Sequence, residues 1–217
     1  NKRNLFIFSV YFLHRSFINL HQNCRGAFFV IYFRIYLFEF IKNMPLYLID
    51  KSLIYGWHNH KARALKAALL SLLGSEDFDA FCAESLKINP FNFAILFEQG
   101  KTAEMKALMR KDANNYDELA LDYIACGLCD SALAIWNMAI EENAATALTY
   151  YYIAWVTGCA DDQKRASRHS IDYCFPNRLE AAVALGAFPA DANACYLLGN
   201  LYYDKRQYDK AKECWEQ

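Results

Sequence analysis

The chain has no excess of charge of either sign. Its 23 Lys and Arg against 24 Asp and Glu leave a net charge of −1. That removes the basic field by which a domain engages nucleic acid or an anionic membrane surface. A membrane helix needs about 20 mostly apolar residues, and no clean run of that length is present. The longest candidate, residues 27–41, is broken by Arg34 and Glu39. An earlier run, "LFIFSVYFL", follows Lys2 and Arg3 like a secretory leader but lacks a small-x-small cleavage site. No membrane span is therefore expected within residues 45–217. Prolines are few (Pro45, Pro90, Pro176, Pro189) and sit at breaks, and alternating β patterns of useful length are absent.

Catalytic signatures are missing as well. There is no glycine-rich phosphate loop, no G-x-S-x-G, and no Cys–His pairing with a spatial reason. The acidic pairs Asp161-Asp162, Glu141-Glu142 and Asp77-Asp79 fall at expected helix ends, where they meet the helix dipole or solvent. Cys126-x2-Cys129 could begin a zinc or redox site, but no second Cys-x2-Cys or His pair lies at suitable spacing. Both cysteines fall in an expected turn, where small residues belong. His58 and His60 sit between two expected helices and read as solvated or capping residues. No enzyme, metal or cofactor is expected. The eight cysteines mostly occupy positions that suit a small buried residue, and they read as reduced cytoplasmic thiols.

Composition changes sharply along the chain. Residues 1–43 hold nine Phe and a single Ala, whereas the remainder is rich in Ala, Leu and Tyr. Phe, Ile, Tyr, Asn, Lys and Leu are what AT-rich DNA yields outside its proper frame. Residues 1–44 are read as a segment of doubtful origin, with an apolar leader or a buried helix as alternatives.

From Pro45 to residue 217 the texture is helical. Apolar residues recur at three and four, as in "HKARALKAALLSLLG" and "YDELALDYIACGL", and Gly74, Gly127 and Gly158 each close a helical stretch. One phrase then recurs. Cys195-x2-Leu198-Gly199-x2-Tyr202 leads to Ala211-x3-Trp215. Tyr116-x2-Leu119-Ala120-x2-Tyr123 leads to Ala132-x3-Trp136, and Tyr150-x2-Ile153-Ala154-x2-Thr157 leads to Ala166-x3-Ser170. Each phrase has two small residues twelve apart: 120 and 132, 154 and 166, 199 and 211, with Ala68 and Ala80 as a degenerate fourth pair. Twelve is the spacing that lets two antiparallel helices, joined by a tight turn, touch where neither carries bulk. From Ala132 to Ala166 is 34 residues, one period of the tetratricopeptide repeat (TPR). Irregular inserts are expected near 91–110 and 170–190, where the steps between small pairs run long.

On these residues the chain is identified as a TPR protein. The phrases "NHKARALKAALL", "NNYDELALDYIACGL", "DYCFPNRLE" and "YLLGNLYYDKRQYDKA" resemble the C-terminal TPR array of bacterial proteins that carry an N-terminal β-rich domain of unknown function. The resemblance covers about residues 46–217. It implies an all-α fold, an α-α superhelix (a TPR-like solenoid) of antiparallel helix pairs, clipped at both ends.

Such an array lines its concave surface with first helices, and repeat positions 2, 5, 9 and 12 share one face. Those positions are Asn193, Tyr196, Asn200 and Tyr203; Leu148, Tyr151, Trp155 and Gly158; and Asn114, Asp117, Leu121 and Ile124. Tyr151, Trp155, Tyr196, Asn200 and Tyr203 form the expected binding stripe, since exposed aromatics give contact area and amides fix register. A non-catalytic scaffold that holds a protein or peptide partner is the first expectation. The alternative is an accessory module of a carbohydrate-handling protein, contacting glycan or an enzyme domain.

Overall fold

The computed structural model describes residues 44–217, so the expectations placed on residues 1–43 lie outside the described residues. Among the described residues the chain is all-helical, with no strand. Residues 44–55 are helical (α1), followed by α2 His60–Leu73, α3 Phe78–Ile88, α4 Phe93–Glu98, α5 Thr102–Met109 and α6 Ala113–Ala125. Then come α7 Cys129–Glu141, α8 Ala147–Thr157, α9 Ala160–Arg168, α10 Leu179–Gly186, α11 Ala192–Asp204 and α12 Tyr208–Trp215.

Local chemistry sets these boundaries. The side chains of Asn59, Asn92, Asp112 and Asp191 each accept a backbone N–H of the helix that follows, which satisfies donors the first turn leaves unpaired. Thr146 and Thr149 close a reciprocal capping box at the start of α8. Gly74 and Gly158 end α2 and α8 in the left-handed region, at φ 61° and 67°, a conformation that costs glycine nothing.

The described residues divide into two compact units, one ending at Phe81 and the other running from Cys82 to Gln217. In the described part of the first, Arg63 is buried, donates from Nε to the Trp57 carbonyl at 2.7 Å and lies over the Phe81 ring. Ala68 is buried there but Ala80 is exposed, so the degenerate fourth pair is not a helix–helix contact. The expected motif lacked the bulky residues that force such a contact, and its spacing alone misled.

The second unit is solenoid-like, a succession of packed neighbouring helix pairs: α4 with α5, α6 with α7, α8 with α9, α11 with α12. Ala120 and Ala132, Ala154 and Ala166, and Gly199 and Ala211 are all buried. The small residues let the helices of each pair approach, and Ile135, Trp136, Leu121 and Leu197 fill the adjoining space. The extra helix α10 packs on both α8 and α11. It is also tied to α6, because Arg178 just before it donates to Asp122 Oδ1 at 2.9 Å and to the Glu118 carbonyl at 3.3 Å.

Candidate binding surface

The five expected stripe residues separate into two environments. Tyr151 is 0% exposed; its hydroxyl donates to Asp191 Oδ1 at 2.7 Å and its ring lies 5.6 Å from Phe188. It is a core residue, which corrects the expectation that it faces a partner. Burial first, then the hydrogen bond to Asp191, pushes its pKa far above the usual tyrosine value. Trp155 is half-buried on the same helix. Leu148, Asp117 and Leu121, read as positions on the same face, are buried too.

The reason lies in α8. Its sequence "ALTYYYIAWVT" has no polar face, and a helix apolar all round is a buried one. α7, α9 and α10 all pack on it. That signal was present in the sequence; repeat register, which treats all first helices alike, hid it.

Asp117 has a different occupation from the one its register suggested. Its carboxylate accepts from Trp136 Nε1 at 3.1 Å and from Thr149 Oγ1 at 3.0 Å. One buried side chain therefore joins α6, α7 and α8. Burial pushes its pKa up to about 7, while the bonds from Thr149 and Trp136 oppose that rise.

Tyr196, Asn200 and Tyr203 lie together on α11, at spacings that keep them on one side of the helix. Tyr196 is 49% exposed and Tyr203 57%, with Asn200 half-buried between them. Two aromatics outside the expected stripe join them from α12. The Trp215 ring lies 5.8 Å from Tyr203, and Tyr208 packs edge-on to Tyr203 at 5.3 Å. Trp215 Nε1 donates to the Tyr196 carbonyl at 3.3 Å. Tyr208 and Trp215 are seven residues apart, a spacing that puts them on one face of a helix. This was the signal that could have added them to the surface.

Gly199 makes this arrangement possible. A Cβ at that position would run into the Trp215 indole, so only glycine lets the ring lie on α11. The result is a cluster of three aromatic rings, Tyr203, Tyr208 and Trp215, with Tyr196 on the same side of α11 as Tyr203, and each of the four is about half exposed.

Other features carry less. An open groove of about 530 Å³ is lined by Ala103, Lys106, Ala107, Arg110, Lys111 and Glu142. Lys106 is engaged there by Glu141 at 3.0 Å and Glu142 at 3.4 Å, and it lies apart from the expected stripe. Cys126 and Cys129 are exposed, at the end of α6 and the start of α7. Among the described residues no group of three or more His, Cys, Asp or Glu is placed to hold a metal ion. None of their helices is long and apolar enough to cross a membrane. Comparison with protein-family models returns no match, and comparison with curated proteins returns none.

Proposed function

We propose that this chain is a non-catalytic TPR scaffold that holds a segment of another protein against Tyr196, Asn200 and Tyr203, with Tyr208 and Trp215 completing the surface. The observation that carries the reading is the exposure of Tyr196 and Tyr203, seven residues apart on one side of α11. Tyr203, Tyr208 and Trp215, whose rings pack together yet stay about half exposed, offer apolar area already fixed in place, so little ordering entropy is lost on binding. The Asn200 amide supplies a donor and an acceptor within the cluster. The repeat pattern, with its small residues twelve apart, supports the TPR assignment, and the reading places the protein in the cytoplasm with its thiols reduced.

The test is selection of displayed peptides on the immobilised chain, in parallel with an array of glycans. Peptides enriched by the chain should lose capture on Tyr203→Ala and on Asn200→Ala while both variants melt close to the parent. Glycan capture in place of peptide capture would favour the carbohydrate-handling alternative. Should Tyr203→Ala melt many degrees lower, the residue is part of the core and the surface loses its support.

A further inference from the structure

Cys195 lies on α11 and Cys214 on α12, the two packed helices of the last pair. Starting from Gly199 and Ala211, both buried in that pair, four residues back along α11 and three forward along α12 lead to the two thiols. The contacts around them hold the same register. Trp215 Nε1 reaches the Tyr196 carbonyl at 3.3 Å, and Cys195 Sγ, which donates to the Pro189 carbonyl at 3.4 Å, also lies 3.7 Å from Gln217 Oε1. Both cysteines are free; Cys195 is buried and Cys214 is half-buried. Burial raises the pKa of both, and the charge of Cys195 raises that of Cys214 further.

We propose that Cys195 and Cys214 form a reversible disulfide that fastens α12 to α11. The contacts of Trp215 with the Tyr196 carbonyl and of Cys195 with Gln217 hold this end of α12 against α11, toward the separation a disulfide spans. α12 is the element with most to gain. It has eight residues and buries a single one, Ala211, which places it at the low-stability end of the fold.

The oxidant is a low-molecular-weight disulfide such as oxidised glutathione. The more accessible Cys214, as thiolate, attacks one of its sulfurs, releasing one glutathione thiolate that takes a proton from water and leaving a mixed disulfide on Cys214. Cys195 then gives its proton to solvent and attacks Cys214 Sγ, expelling the second glutathione. Two protein thiols are oxidised and one glutathione disulfide is reduced to two thiols. Both steps need thiolate, so the raised pKa values make the switch slow at neutral pH and faster as pH rises. The inference does not depend on what the aromatic surface binds.

The full chain is equilibrated in reduced and in oxidised glutathione, alkylated, digested and mapped by mass spectrometry, with amide exchange followed in parallel. A linked Cys195–Cys214 peptide should accumulate in the oxidised sample and disappear on reduction. Exchange in α12 should slow on the order of a hundredfold when the link is closed. In Cys195→Ser, Cys214 should stop at the glutathione adduct and α12 should exchange alike in both buffers. The proposal is overturned if Cys214 of the parent chain stops at that adduct, if Cys195 links to another cysteine, or if the link forms and α12 exchange is unchanged. Slowing that persists in Cys195→Ser overturns it as well.

Discussion

The α6–α7 and α11–α12 pairs follow one sequence pattern and end in different environments. Each has two small residues twelve apart, and in each a tryptophan nineteen residues beyond its partner turns its indole N–H back to the first helix. Trp136 reaches the Asp117 carboxylate and Trp215 reaches the Tyr196 carbonyl. Trp136 is 0% exposed because α8 lies over it, with Tyr152 stacked on the indole at 5.7 Å and 13°. Trp215 is 45% exposed, and no helix among the described residues stacks an aromatic ring on its outer side. Pairing within a repeat unit is thus a local property, whereas burial of the unit's outer face depends on the neighbour.

Substitution of the two tryptophans tests that difference most strongly. Trp136→Ala should cost about 3–5 kcal/mol, the range for truncating a buried aromatic. Trp215→Ala should cost roughly half as much, in proportion to the area it hides. Denaturant unfolding of the two variants measures both, and equal losses would break the comparison.

The next effect concerns Asp117, the buried carboxylate that stands within α6 where α11 has Tyr196. Its folded pKa, about 7, lies above the ordinary unfolded value of about 3.9. Below about pH 4 both states hold the proton and the group costs nothing. Between about pH 4 and 7 the unfolded chain releases the proton first, so stability falls as pH rises, and above that window the loss is constant. Asp117→Asn keeps an acceptor for Trp136 and Thr149 without the charge. It should flatten the profile and stabilise the protein at pH 8 by up to roughly 4 kcal/mol. A parent chain whose melting temperature is level from pH 4 to 7 would contradict this.

A smaller change sharpens the contrast at the helix contact. Where the first pair has Ala120, the second has Gly199 with the Trp215 ring against it. Gly199→Ala should cost about 1–3 kcal/mol by overpacking and shift Trp215 emission to longer wavelength as the ring is displaced. Ala120→Gly should leave Trp136 emission in place. The smallest effect is expected at Tyr203, whose truncation should cost about 1 kcal/mol through its two ring contacts while weakening peptide capture.

The sequence by itself determined the helices, their caps and the partner of each in the well-formed pairs. Those depend on contacts within some forty residues, such as Asp191 on Ala194 N–H or Gly199 against Trp215, and short-range periodicity records them. It also placed Tyr196, Asn200 and Tyr203 on one side of one helix. Only the tertiary structure decided which faces are covered. Tyr151 and Tyr196 hold the same repeat position, yet Tyr151 is closed in by Phe188 and by the Asp191 carboxylate, forty residues away in the chain. Tyr196 has no such cover. Exposure is set by what packs from outside a repeat unit, and a pattern internal to the unit carries no record of that neighbour.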